Sequence, residues 1–243
     1  MANQPIKDAA YKDIQGLRLA YATTATMTVA SGKVRDANNV NDITLDSAAT
    51  INTANNGLNG LDTGTIANST QYAVYLIGDS TKYKATGAIL STDTDAPLYP
   101  LGYDMCRRIG FIYTDGSAQI LPFQQTGNSV DRAMWYDTPF QELTNGQSAT
   151  WADVDCGSSV PDQATLIYLL AAQTPSAAGR AVYVRRNGSS ATNGSGRLSG
   201  DVNAVETWGE LTVPCDSDAI FEYKVDNASD SVDLYVKGYL DSL

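Results

Sequence analysis

The acidic pairs are the first residues with a chemistry to offer. Glycoside cleavage needs two carboxylates about 5–10 Å apart across a cleft. Asp153/Asp155, Glu206/Glu210 and Asp216/Asp218 are the candidate pairs. Asp153 and Asp155 stand at i, i+2 on one expected strand, so both face one side. Like charges repel there, and a solvated sheet face accounts for them better than a catalytic site. Oxygen ligands at calcium-like spacing occur twice, in Asp93-Thr94-Asp95 and in Asp226-Asn227-Ala228-Ser229-Asp230. Calcium takes about six to eight oxygens, and neither segment has the terminal bidentate Glu of a calcium loop. Asx-turns explain both. No catalytic residue, no metal ligand and no cofactor is assigned, and the chain is not expected to be an enzyme.

Histidine is absent. The commonest general base and the commonest metal ligand are therefore missing. Cys106, Cys156 and Cys215 lie far apart without a C-x-x-C pair, so a zinc site cannot be assembled. An odd, sparse thiol count fits a reducing compartment and burial as small hydrophobes. Gly57, Gly60 and Gly64 do not make a phosphate loop, because the Lys-Ser/Thr end is missing.

The 14 Tyr outnumber the four Phe and three Trp, and aromatics with a polar tip suit interfaces and sugar stacking. Trp135, Trp151 and Trp208 are candidate carbohydrate platforms. The competing and preferred reading makes Trp151 and Trp208 core residues. Arg107-Arg108 and Arg185-Arg186 are basic doublets in an acidic chain. Strand neighbours point to opposite faces, so one of each pair can turn inward toward an Asp. The functional reading is a salt bridge across a subunit boundary, and the competing one is a solvated surface doublet. Arg108 is placed at a strand entrance.

The net charge of −11 and pI near 4.3 argue against nucleic-acid binding, which needs a basic stripe. No run of about 18 apolar residues exists, so no membrane insertion is expected. The polar opening MANQPIKDAAYKDIQG does not read as a secretory signal. Only four of the 27 acids are Glu, a bias toward turns over helices.

Period-2 alternation and short β-branched runs dominate the chain, so the fold class expected is all-β with little helix. Residues 1–16 read as a polar N-terminal arm with a weak helical turn. Strands are expected at Leu17–Ala22, Thr26–Ala30, Lys33–Arg35, Ile43–Asp46, Thr50–Asn52, Tyr72–Ile77, Tyr83–Leu90, Arg108–Thr114 and Ser117–Phe123. Ser31-Gly32 and Asp115-Gly116 read as hairpin turns. Tyr72–Ile77 is apolar on both sides and should be central. Asn55–Gly64 reads as irregular punctuation.

Residues 1–127 carry 9 basic against 11 acidic residues, net −2, and residues 128–243 carry 7 against 16, net −9. A boundary is therefore placed near residue 126. It leaves a β-rich antiparallel domain over 17–126 and a jelly-roll-like C-terminal β-sandwich over 127–243. Strands there are expected at Arg132–Tyr136, Ala149–Cys156, Thr165–Ala172, Ala181–Arg186, Val205–Val213, Ala219–Val225 and Ser231–Tyr239. Asn187–Gly200 reads as a mobile, exposed loop.

The strings NGLNGLDTGTIANSTQYAVYLIGDSTK (Asn56–Lys82) and LGYDMCRRIGFIYTDGS (Leu101–Ser117) resemble a recurrent domain of tailed-bacteriophage virion proteins, over about residues 15–125. The segment from TPFQELTNGQSATWADVDCGSSVP to DLYVKGYLDSL resembles small C-terminal β-sandwich modules of such proteins. The resemblance implies a virion component of tail, fibre, adaptor or head-fibre type, assembled in the host cytoplasm. It implies a homo-oligomer, with a trimer favoured, that docks on portal, adaptor, tail or capsid proteins. Tyr11, Arg107, Arg108 and Tyr113 are the expected interface residues. The alternative is a receptor- or glycan-binding module that contacts host surface polysaccharide through Asn187, Ser190, Asn193 and Arg197. A polysaccharide hydrolase ranks below both.

Overall fold

The computed structural model describes residues 14–127 and 131–243. Among them every regular element is a strand. The chain divides into two compact units, one ending at Arg132 and the other running Ala133–Ser242. Tyr11 and the expected helical turn of the arm lie outside the described residues, whereas the arm's last residues, Ile14–Gly16, form strand β1.

The first unit opens with a three-arm meander that bends midway. Its arms are β1 with β2 (Leu19–Thr23), β3 (Thr26–Val29) with β4 (Gly32–Arg35), and β5 (Asp42–Leu45) with β6 (Ala49–Asn52). The early halves of the first arm and late halves of the second meet in the sheet β1-β4-β5, while β2, β3 and β6 pair in another. Ser31-Gly32 is therefore not a hairpin turn. β3 and β4 are one continuous arm, and its partner crosses the bend beside it, with Leu17 N–H donating to Ser31 O and Ala30 N–H to Arg18 O.

The bend dictates its residues. Gly16 has φ +70°, and a Cβ there would meet Ser31 O at 2.3 Å. A Cβ on Gly32 would meet Gln15 O at 2.1 Å, so only glycine lets the two arms approach. Leu17, wholly buried, also adopts a left-handed φ of 55°. Arg132, 1% exposed, holds this corner: its guanidinium donates to Leu17 O at 2.8 Å and to Gly16 O at 2.7 Å. Gln125 Oε1 completes the cluster by accepting from Leu19 N–H at 2.9 Å. These contacts place Arg132 with the first unit, which is why the division falls a few residues beyond the charge change.

The rest of that unit packs on β7 (Gln71–Gly78), between β8 (Gly87–Ser91) and β9 (Met105–Tyr113). As its two-sided apolarity requires, β7 is central and buried from Tyr72 onward. Ala73, Tyr75, Ile77, Ile89, Cys106 and Phe111 form the core, with Leu58 and Tyr103 against it. Residues 55–62 are irregular but not mere punctuation, because Leu61 is buried and Asn59 and Asp62 N–H groups bond to Ala88 and Leu90 of β8. Residues 83–86 precede β8 as a loop, since Asp79 takes the N–H groups of Thr81, Tyr83 and Lys84 and commits them to a turn. The Asp115-Gly116 turn is present, but its second arm shrinks to one bridge, Thr114–Ile120. The chain then enters β10 (Phe123–Thr126), which pairs with β2.

The second unit holds β11 (Asp131–Gly146, from Ala133), β12 (Ala152–Asp155), β13 (Ala164–Thr174), β14 (Arg180–Arg186), β15 (Gly196–Gly200), β16 (Thr207–Pro214), β17 (Ile220–Val225) and β18 (Ser231–Ser242). β15 was unexpected, and it converts the end of the Gly/Ser-rich segment into an edge strand. One sheet runs β16-β13-β18-β11 and the other β12-β17-β14-β15. Counted from β11 to β18, that is first-eighth-third-sixth and second-seventh-fourth-fifth, the strand order of a jelly roll. Both sheets alternate: Val182 and Val184 of β14 and Phe221, Tyr223 and Val225 of β17 are buried, as are Ile167 and Leu169 of β13 and Val232, Leu234 and Val236 of β18.

Replacing Arg132 by Met should lower stability by about 3 kcal/mol, because two corner carbonyls lose charge-assisted donors in a buried site. Arg132→Lys should recover less than half, since an ammonium lacks the planar fork. Urea denaturation of the three proteins measures both.

Candidate functional site

Strand β13 sets the site. Its alternate residues Ile167, Leu169 and Ala171 are buried, so Leu166, Tyr168 and Leu170 take the opposite, half-buried side. Ala172 pairs with Trp208 on one flank and Asp233 on the other, and Leu170 pairs with Glu210 and Tyr235. Trp208 and Tyr235 share that outer face. Their centroids are 5.8 Å apart with planes 24° from parallel. Two strands separated by a third lie about 9.6 Å apart, so both side chains lean inward over β13. Trp135 of β11 stacks on Tyr168 at 4.5 Å and 21°.

Trp208 is 51% exposed. It is thus not a core residue, contrary to expectation. The physical reason is parity: Trp208, Glu210 and Thr212 lie at i, i+2, i+4 on β16 and all three are exposed. Its indole N–H donates to Glu206 Oε2 at 2.7 Å, which satisfies the polar edge and leaves the ring face open. Lys237 of β18 bonds to Glu210 across the same face.

Trp151 is also no core residue, being half-buried beside the other sheet. Arg185 of β14 lies over it at 4.1 Å and Lys224 of β17 at 4.9 Å. Arg185 does turn toward an acid, although the partner is Glu222 on the next strand, at 2.5 Å. Arg185 also donates to Ala191 O and Lys224 to Thr192 O, so both cations tie residues 187–195 to the sheet. That segment is a strapped loop, because two cations from the sheet bond to the carbonyls of Ala191 and Thr192 near its tip. Asn187 donates to Asp216 at 2.7 Å, Ser190 and Asn193 are exposed, and Arg197 sits on β15 over the Tyr183 ring at 5.7 Å. The four residues expected to form one contact surface are thus divided between a turn anchor, the loop tip and a strand.

Four of the six carboxylate candidates serve local structure. Glu206 and Glu210 are committed as described, and Asp155 accepts Gly157 N–H at 2.9 Å. Asp216 is pushed up by burial, but bonds from Ile220 N–H, Asn187 and Asp218 N–H outweigh this and hold it below the usual carboxylate range. Asp93 accepts Asp95 and Ala96 N–H groups in an Asx-turn. Asp230, fully buried, accepts from Ser176 N–H and Oγ, Arg180 and Asn227 N–H. Among the described residues no three His, Cys, Asp or Glu side chains gather as a metal site.

In the first unit, Arg108 lies inside β9, which begins three residues before it, and its guanidinium covers the Phe111 ring at 4.5 Å. Arg107 is half-buried beside it. Tyr113 is only 3% exposed, packed in β9, and offers no surface to a partner. The apolar surface lies elsewhere. Tyr83 is 92% and Leu101 93% exposed, on two loops lashed together by Lys84, which bonds to Leu101 O, and by Tyr103, whose hydroxyl donates to Ala85 O at 2.9 Å. An open groove of about 280 Å³ nearby is lined by Asp42, Asp46, Asp79, Lys82 and Lys84. Asp42 is already paired with Lys33 at 2.7 Å.

All three cysteines are free and buried. Desolvation pushes the Cys215 thiol up to about 11 and raises Cys106 and Cys156 as well. No family model matches the chain, and no curated protein matches its sequence.

Two outcomes follow from these environments. Aromatic-disulfide titration should leave all three thiols unmodified in the native protein at mildly alkaline pH and modify all three in guanidinium. Burial raises the Asp230 carboxyl, but the Ser176 bonds and Arg180 outweigh it and hold its folded value below the ordinary one. Its contribution is therefore complete above the unfolded value of about 4 and lost as pH falls through the folded value. The stability gap between wild type and Asp230→Asn should be widest near neutrality and shrink steadily below about pH 4, as read by chemical denaturation at a series of pH values.

Proposed function

We propose that this chain is a non-catalytic structural subunit of a bacteriophage virion, of tail, fibre, adaptor or head-fibre type, that works as a homo-oligomer docked on other virion proteins. The observation that carries this reading is the pair Tyr83 and Leu101. Two large apolar side chains more than nine-tenths exposed, on loops pinned in place by Lys84 and Tyr103, are held ready for a contact. The sequence resemblance over residues 15–125 covers the same unit, and a jelly roll is an architecture that viral capsid proteins and lectins share. Fold alone assigns no role, so the loop pair bears the weight.

A second reading, a receptor- or glycan-binding module alongside assembly, is favoured by the outer face of β13, β16 and β18, where a half-exposed Trp208 stacks on half-buried Tyr235.

Light scattering with mass photometry tests the assembly reading. The wild-type chain should form one discrete oligomer, a trimer favoured, and the double variant Tyr83→Ser, Leu101→Ser should shift it toward monomer while keeping its melting temperature. A strict monomer at every accessible concentration, never incorporated into particles, overturns it.

A further inference from the structure

The rings on the outer face of the second unit have a geometry specific enough to name a ligand class. We infer that Trp208 and Tyr235 form a stacking platform for uncharged pyranose sugars of an extended polysaccharide. The inference rests on the second reading above and moves its site from the 187–200 segment to the sheet face.

The platform lies over β13, with Ala172 and Leu170 beneath. At 5.8 Å and 24° the two rings are offset-stacked and cover one another only in part, and Trp208, half exposed, keeps ring surface open to solvent. The C–H face of a pyranose is a flat apolar surface of a size to lie on the exposed part of the indole. Around the rings stand hydroxyl partners: Glu206 on the indole edge, and Glu210 with Lys237 on the adjoining row. A pyranose presents this same combination, an apolar face with a ring of hydroxyls at its rim.

Charge selects among occupants. The face carries three carboxylates, Glu206, Glu210 and Asp233, against one ammonium, Lys237. An acidic polysaccharide meets repulsion there, and so does a second copy of the same face. A dry protein interface is disfavoured for another reason: interface centres are depleted of charged residues, whereas here charged groups adjoin the rings directly. Uncharged sugars incur neither penalty.

The test uses the full chain. Maltohexaose, cellohexaose, mannohexaose and a galactomannan serve as neutral probes, with alginate and hyaluronan as acidic ones, read by intrinsic tryptophan fluorescence and affinity electrophoresis. Binding to at least one neutral probe is expected. Trp208→Ala and Tyr235→Ala should each weaken it roughly tenfold, Trp208→Phe should retain most of it, and Tyr183→Ala on the other sheet should leave it unchanged. Melting curves confirm that each variant folds. Failure to bind any neutral probe overturns the platform, as does binding that survives both Ala variants. Binding to acidic probes alone overturns it too, but leaves the glycan-binding reading standing with a different ligand. Salt-sensitive capture of a basic protein through this face, without sugar binding, overturns it in favour of a protein partner. Oligomeric state, read on the same samples, is independent of all these results.

Discussion

The pairing register of β13 is the constraint on which the second unit's surface depends. A strand in a one-sided sheet has only two parities, and a shift of one residue exchanges its buried and outer sets. Ile167, Leu169 and Ala171 take the buried side and fix that parity. The ladder then carries it outward: Ala172 opposite Trp208 and Leu170 opposite Tyr235 place both rings on the outer side. Nothing about the rings themselves selects that placement. Burial of the alternate residues of β13 decides it.

Buried polar groups perform the comparable task within each unit. In the first, the bend at Gly16 and Gly32 turns carbonyls away from ladder partners, and the Arg132 guanidinium satisfies two of them. In the second, Asp230 gathers donors from Ser176, Arg180 and Asn227 and ties the start of β18 to the approach to β14. Neither charge is a site in the chemical sense. Each is an ion surrounded by oriented dipoles of the opposite sense, the condition under which a buried charge is tolerated.

Much of this was legible in the residues, and the failures have common physical causes. The two-sided apolarity of Tyr72–Ile77 announced a central strand, and the spacing of the later runs announced antiparallel sheets without helix. Alternation reports a strand, however, not its partner, so Ser31-Gly32 resembled a hairpin turn when it marks a bend in one continuous arm. The paired glycines at 16 and 32 were the available signal, since they sit opposite one another in the β1–β4 ladder. The strap over 187–195 was hidden because its donors, Arg185 and Lys224, come from two different strands. Trp208 was misassigned by residue type alone. Glu206 and Glu210 flank it at i−2 and i+2, and two charges of that parity already put the ring outside.

The energetic position of Trp208 supports the proposed binding surface. A Trp side chain contributes about 150–250 Å², so covering the half left open here is worth about 2.5 kcal/mol at the usual area coefficient. The chain forgoes that gain although Tyr235 stacks beside the ring and Ala172 lies opposite Trp208 in the ladder. Instead the indole edge is fixed by Glu206, and Lys237 and Glu210 hold each other on the adjoining row. Side-chain entropy has thus been spent in advance on a flat, oriented and incompletely covered surface. A partner that lies flat on the ring collects the uncollected area term without ordering the protein further, which is the condition for a weak contact to become useful when many copies act together.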